Sequence, residues 1–560
     1  MLITDKELQT LLLRTGLVDE KKLSDLVTFA AETGSSLTDI LIERDIVSDE
    51  NLGILIADYL KIPFVVLTKT SIPEDTYHIV PEKVARKQKV IAFARDEHGI
   101  KLAMADPRNT LLQQMIMRKT GQLVVPYYAT ERDIYNTLRI YRKDLQKAFE
   151  NLIQETTHGR GLVYVVEAPI SQIVDMIIDY AYQDKASDIH LEINETESLV
   201  RFRIDGLLQD VLRMPKAMHE QVISRIKVLS RLRTDEHLAP QDGKMRIKLD
   251  EENLDLRISI LPIVEGEKVV MRLLASHFRQ FSLIDLGMSE VDLKKVTRAI
   301  NKSFGMVLST GPTGSGKTTS IYALIKILNT REKNITTIED PVEYRIKGIN
   351  QIQVNPKTDL TFASGLRSIL RQDPNVVFVG EIRDGETAGI AVNAALTGHL
   401  VLSTLHTNDA ATTLPRLTDM KIEPFLVAST VNIIIAQRLI RKICEMCKQS
   451  LIISRQELTQ NVPQEIVTKH FGSEDAITIY QGKGCKVCHN TGYSGRVGLF
   501  EILEVTKNIK KLITGKVDAE TIAHQAIVDG MTTMLDDGMR KIAKGTTTLS
   551  EVLRVTKVET

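Results

Sequence analysis

MVLSTGPTGSGKTT, residues 306–319, decides how this chain is read. Residues 306–309 form an apolar run long enough for one buried strand. Residues 311–318 then match G-x-x-x-x-G-K-[ST], and residues 320–328 (SIYALIKIL) carry the apolar spacing of an amphipathic helix. Strand, glycine loop and helix in that order are the context of a phosphate-binding P-loop. The residue types follow from the chemistry. Gly311, Gly314 and Gly316 lack a Cβ, so backbone N–H groups can close on a polyphosphate. Pro312, Thr313 and Ser315 complete the loop, and the new helix aims its free N–H groups and its dipole at the same anion. Lys317 can reach the β- and γ-phosphates; the Thr318 hydroxyl, with Thr319 beside it, is placed to ligate Mg²⁺.

Working outward, apolar runs recur between helical patterns over 285–440: MVLS (306–309), ITTIE (335–339), VVFVGE (376–381) and LVLSTL (400–405). Buried strands alternating with helices make a parallel sheet of the nucleotide-binding kind. Active residues belong at the C-terminal ends of such strands. After ITTIE come Glu339, Asp340 and Glu343, three carboxylates of which one can orient and deprotonate the attacking water. After VVFV, Gly380 stands where a Walker B Asp is expected, so the Mg²⁺ contact falls to Glu381. At the third strand, His399 and His406 flank LVLSTL; a histidine near the γ-phosphate can donate a hydrogen bond and report its presence.

The 560 residues call for several domains. Their formal net charge is zero, with no basic stripe, which argues against a nucleic-acid translocase. The start, MLITDKEL, lacks a signal-peptide pattern, and no apolar run approaches ~18 residues, so a cytoplasmic protein is expected. Residues 1–60 read as a helical repeat of spacing 29, in which Leu12, Val18, Leu23 and Leu26 return as Leu41, Val47, Leu52 and Leu55. Residues 61–141 read as a small α+β unit and 142–161 as a helical exit and linker. Residues 162–274 have the alternation of a half-exposed antiparallel sheet, with Arg201, Arg203, Arg257 and Arg272 on its strands; spacing alone makes these a solvated basic face. Two C-x₂-C pairs, Cys444/Cys447 and Cys485/Cys488, use all four cysteines of the chain and match a tetrahedral structural Zn²⁺ better than a redox pair or free thiols. Residues 441–496 are therefore assigned to a zinc-binding insertion, and 497–560 to a mostly helical C-terminal subdomain.

GPTGSGKTT, TTIEDPVEY, NVVFVGEIRD, GHLVLSTLHTNDA, AQRLIRKIC and the paired C-x₂-C resemble the type II secretion/type IV pilus assembly ATPases over about 162–555. The resemblance implies a homohexameric α/β motor with a RecA-like P-loop core over 285–440, at the inner face of the cytoplasmic membrane. It implies partners too: an inner-membrane platform protein and cytoplasmic docking proteins. It names 336–344, 376–384 and 398–409 as Asp box, atypical Walker B and His box. It makes 162–274 a PAS-like domain that closes over the nucleotide, with Arg257 and Arg272 on the phosphates and Arg496 near the site. Arg367 and Arg371, four apart in GLRSILRQDP, match arginines at the subunit boundary. The implied chemistry is ATP hydrolysis with Glu343 activating water and His406 sensing the γ-phosphate. Retraction motors lack the zinc insertion and the long N-terminal region, so a pilus extension motor is expected, with a type II secretion motor as the alternative. In some members the N-terminal helical domain binds cyclic di-GMP through repeats opening Arg-Leu-Gly. Here the repeats have Glu7-Leu8-Gln9 and Ser36-Leu37-Thr38, which argues against that ligand and for a partner-docking module.

Overall fold

A run that must bury both faces can be satisfied only inside a sheet covered on both sides. The P-loop unit meets that demand with strands Gly305–Thr310, Ile335–Glu339, Asn350–Gln353, Val376–Val379, Leu400–Leu405, Val431–Ile443 and Tyr493–Glu504. This is a computed structural model, and it describes residues 3–15, 18–33, 36–44, 46–141, 144–156, 169–249, 253–275 and 282–556. Across the sheet the order is Asn350–Gln353, Ile335–Glu339, Val376–Val379, Leu400–Leu405, Gly305–Thr310, Val431–Ile443, Tyr493–Glu504. Neighbours are parallel except the last pair, which is antiparallel. Met306, Leu308, Val377, Val379 and Ile434 face one apolar core; Val307, Phe378, Leu402, Ile433 and Ile435 face the other, with the P-loop helix Lys317–Leu328.

The last strand corrects the sequence. Residues 497–504 were expected in a helical subdomain, and they complete the sheet instead. RVGLFEILEV is apolar nearly throughout, because the strand is buried on both faces, and a run without period does not distinguish strand from helix. The helices Lys507–Thr514, Ala519–Val528, Met534–Ala543 and Leu549–Thr556 follow. The final helix lies on Val431–Ile443, where Glu551 accepts from the Arg441 guanidinium at 2.7 Å and from its backbone N–H at 2.9 Å.

The PAS-like unit is a six-stranded antiparallel sheet, in the order Leu207–Pro215, Glu197–Ile204, Asp188–Ile193, Gly266–Leu274, Asn253–Ile263, Gln241–Lys248. Val200, Phe202, Ile258 and Met271 turn toward the helices Ile170–Gln183 and His219–Ser230; the arginines alternate onto the opposite face. The expected linker is partly structured. Helix Leu145–Thr156 places Leu145, Phe149 and Ile153, four apart, in the core of this unit. Its Gln146 also pairs with the backbone of Arg213. Residues 142–143 and 157–161 of that linker lie outside the described residues.

Residues 5–60 form helices Asp5–Thr15, Glu20–Thr33, Leu37–Glu43 and Asp49–Leu60, two pairs at the spacing of the repeat. The α+β unit holds strands Val90–Asp96, Gly99–Met104 and Val124–Tyr128. Among the described residues no helix is long and apolar enough to cross a membrane.

Candidate functional site

The phosphate loop takes the shape its glycines allow. Gly311, Gly314 and Gly316 have φ of 145°, 77° and 87°, and Gly316 caps the helix. A Cβ on Gly311 would lie 2.4 Å from the Gln437 carbonyl oxygen, so no side chain fits there. Lys317 is buried and donates to the Gly311 and Pro312 carbonyls at 2.7 and 3.2 Å. Burial pushes its ammonium pKa down, and the charge of Glu381 opposes this. Thr318 and Thr319 lie on the first turn of the helix, both partly exposed.

The strand ends beside the loop converge. Glu381 receives Arg383 at 2.7 Å and lies 3.2 Å from His406 Nε2. Thr404 donates to the Gly380 carbonyl at 2.7 Å, and the Thr407 N–H donates to Thr310 Oγ1 at 3.0 Å. The His406 loop is thus fastened to the strand that carries the P-loop. A cleft of about 300 Å³, lined by Ile382, Arg383, Leu405, His406, Arg416 and Met420, opens there. Arg257 crosses from the PAS-like sheet: its guanidinium donates to the Val342 carbonyl at 2.7 Å and lies 3.4 Å from Glu343. Arg272, opposite Arg257 in register, is instead bonded to Asp188 at 2.9 Å. That bond raises its pKa against the effect of burial, with a further contribution from the charge of Glu343. Two further arginines of this face, Arg201 and Arg203, pair with Glu192 and Asp188.

Several expected site residues sit elsewhere. His399 precedes the strand Leu400–Leu405, at its N-terminal end, where its Nδ1 lies 3.0 Å from the Ala394 carbonyl. A six-residue strand, about 20 Å long, separates it from His406. Glu339 turns away from solvent. It accepts from Tyr322, from Thr337 at 2.5 Å and from Gln351 at 3.3 Å, and burial pushes its carboxyl pKa up. Asp340 is exposed in the turn before Pro341. Arg367 makes an exposed ion pair with Glu386. Arg371 lies past the end of helix Phe362–Ile369, so the two do not share a helix face; its guanidinium bonds Ser368 and the Arg367 carbonyl. Arg496 is exposed opposite Arg441 on the last strand.

Gln437 was missed. It is 2% exposed in the strand Val431–Ile443, and its Nε2 donates to the Ser315 carbonyl at 2.7 Å. The signal was available, since Gln437 is a polar residue inside the apolar run VNIIIAQRLI.

The four cysteines also meet. All four sulfurs lie within 4.8 Å of one another, with Cys444–Cys485 at 3.8 Å, Cys447–Cys488 at 3.9 Å and Cys485–Cys488 at 3.7 Å. A tetrahedral Zn²⁺ with bonds of ~2.3 Å sets its sulfurs about 3.8 Å apart, so the cluster fits the ion. Backbone N–H groups of Gly484, Cys485 and Gly492 donate to Cys447 or Cys488 at 3.2–3.3 Å, as thiolates require. The intervening residues fold as a hairpin, Lys448–Ser454 with Ala476–Gly482, and the helices Arg455–Thr459 and Gln464–Phe471. This is how so long a loop closes on one centre.

Residues 165–554 match the model of the type II/IV secretion system protein family, and residues 60–147 match the MshEN domain model. The type IV pilus assembly ATPase PilB of Myxococcus xanthus is 36% identical over 559 residues, covering 97% of each chain. Type II secretion system protein E of Dickeya dadantii is 39% identical over 496 residues, 86% of this chain and 97% of that one. The solved structure of the Legionella pneumophila ATPase DotB aligns with a TM-score of 0.51 at 20% identity, covering 69% of this chain and 95% of its own; the likeness is one of fold.

Proposed function

The chain belongs to the type II/IV secretion system protein family, the ATP-hydrolysing motors of type IV pilus assembly and type II secretion, and from that premise we propose how its residues divide the work. The observation that carries the proposal is the pairing of Glu381 with His406 at the ends of neighbouring strands, beside the loop whose Lys317 feels the Glu381 charge, with Arg257 bonded to the 342–343 segment from the PAS-like unit. ATP binds with its phosphates in residues 311–319, held by Lys317 and the helix N-terminus. Thr318 and Glu381 are the groups that would hold Mg²⁺, which when bound neutralises charge on the β- and γ-oxygens. Glu343 accepts the proton of the attacking water. Glu339 is removed from that role, because its oxygens are already bonded in the core. Arg257 supplies a cation to the phosphates from the PAS-like unit, with Arg272 and Arg496 as further cations of the site. His406, beside Glu381, reports the γ-phosphate to the Walker B strand. The four cysteines hold one structural Zn²⁺.

We infer a homohexamer working on an inner-membrane platform protein, with cytoplasmic docking proteins held by the N-terminal region and the protein placed at the inner face of the membrane. The client is a growing type IV pilus. Coverage of 97% of both chains by the pilus relative, N-terminal region included, supports this reading over secretion. The similar identity of the type II relative keeps secretion as the second reading. Complementation of strains lacking each motor separates the two. The MshEN match falls on 60–147 rather than on the 1–60 repeats, so cyclic di-GMP is to be titrated against the whole N-terminal region. The residue roles are tested by ATP turnover. Lys317→Ala abolishes it, whereas Glu343→Gln binds ATP and does not hydrolyse it. A Glu343→Gln protein that turns over normally moves the base to Glu381.

A further inference from the structure

The four-cysteine centre touches more than the motor. Each C-x₂-C turn carries an apolar residue at its third position, Met446 in one and Val487 in the other. Both side chains are half-buried, and both pack against the apolar core of the 61–141 unit. The short turn Leu67–Lys69 of that unit lies directly on the turn Glu445–Cys447. Leu67 is fully buried, and Asp133 holds the turn by accepting the backbone N–H groups of Leu67 and Thr68. At the rim, Lys486 pairs with Glu74 at 3.1 Å. The neighbouring His489 lies 3.8 Å from Asp184 of the PAS-like unit, and the Gly495 N–H donates to Asp205 of the same unit at 2.7 Å. The centre therefore sits where three units of the chain meet.

We propose that the four-cysteine centre is the socket by which the motor holds the 61–141 unit, with the metal fixing the two turns so that Met446 and Val487 present one apolar surface. The proposal rests on the reading of the centre as a Zn²⁺ site. The physical reason is preorganisation. Two turns separated in sequence by 37 residues (448–484) have independent freedom until a common ion ties their sulfurs together. Met446 and Val487 do not touch that ion's position through any ligand atom. They spend the order it imposes on a contact with another domain. The socket stands on the strands Val431–Ile443 and Tyr493–Glu504, and the first of these holds the phosphate loop through Gln437. The N-terminal unit is thus seated on the element that braces the nucleotide loop.

The test uses the full chain and hydrogen exchange, with zinc measured on the same samples. Met446→Ser with Val487→Ser is expected to keep the wild-type zinc content. Its peptides over 67–77 should exchange roughly tenfold faster, while those over 305–310 are unchanged. Removing zinc from the wild-type chain with a chelator should expose 67–77 in the same way. Unchanged protection of 67–77 in the zinc-loaded double variant overturns the socket. So does loss of zinc from that variant, since neither substituted side chain is a ligand. A wild-type chain that carries no zinc overturns the metal's part in the joint and is read before any variant is made.

Discussion

Replacing Gln437 by leucine tests whether the phosphate loop is held from behind by the strand Val431–Ile443. Leucine keeps the volume and the apolar contacts but loses the amide that donates to the Ser315 carbonyl at 2.7 Å. Ser315 is 3% exposed and Gln437 2%, so water cannot replace that donor without the loop moving. A buried carbonyl left without its partner costs about 1–3 kcal/mol. If the loop keeps its shape, the cost appears as lower stability of the motor unit. If the loop shifts to reach water, it appears as weaker nucleotide binding, because the competent shape becomes the minor one. A cost of 1–3 kcal/mol corresponds to roughly 5–150-fold in affinity. Two measurements on one protein therefore share one quantity: the dissociation constant of a non-hydrolysable ATP analogue by calorimetry, and the thermal unfolding of the free chain. Gln437→Leu should weaken binding, lower the unfolding temperature, or both. A variant that binds and melts like the wild type refutes the bracing role and leaves Gln437 as a polar residue merely tolerated in the strand.

Metal analysis should return about one Zn²⁺ per chain, and Cys485→Ser should lower thermal stability more than nucleotide affinity; a fully stable metal-free protein would count against this. Arg371→Ala should leave the chain folded and able to bind ATP, while turnover falls and loses its steep dependence on protein concentration. A hexamer with normal turnover, by light scattering and ATPase assay, assigns Arg371 to its own chain. Burial alone would raise the Glu551 pKa, but hydrogen bonds from Arg441 and Arg554 hold it down to about 2 from 4.5. Its folded value lies below its unfolded one, so its contribution is present above pH 4.5 and is lost as pH falls toward 2. Glu551→Gln should lower stability at neutral pH by about 1.5–3 kcal/mol and flatten the acid side of the stability profile, read by denaturant titration.

What was legible in the sequence was local. The phosphate loop and the two C-x₂-C turns are contiguous in the chain, and each is specified by residue types that only one chemistry needs. The contacts that complete the site join residues far apart: Gln437 with Ser315, and Arg257 with Glu343. No spacing reveals such pairs. Arg257 and Arg272 show the limit well. They alternate identically on neighbouring strands, yet Arg272 is bonded to Asp188 of its own unit and Arg257 to the Val342 carbonyl of the motor. The misplacement of His399 was avoidable. Chain order gives each strand its direction, and a residue that precedes its strand lies at the end away from the nucleotide loop. The strand Tyr493–Glu504 was not avoidable in the same way, because a run buried on both faces carries no period.

The strand Val431–Ile443 also indicates which contacts a working cycle can break. Its first half, Val431 to Ala436, is bonded to Gly305–Thr310 on one side, and Ile433 to Ile443 to Tyr493–Glu504 on the other. Gln437 ties it to the phosphate loop, Arg441 to the last helix, and Cys444, directly after the strand, begins the four-cysteine cluster. A displacement at any one of these points has to carry the strand and its two neighbours. Close-packed elements of this kind shift as units rather than deform. The contacts from the motor to the PAS-like unit are of another sort. Arg257 with Val342 and Glu343, His489 with Asp184, and Gly495 with Asp205 are polar pairs that water or a phosphate can replace. A motion driven by ATP should therefore exchange the Arg257 contacts and leave the Gln437 bond intact. Hydrogen exchange should then rise with turnover around residue 342 and stay low around residue 315. The opposite pattern would place the moving joint inside the sheet.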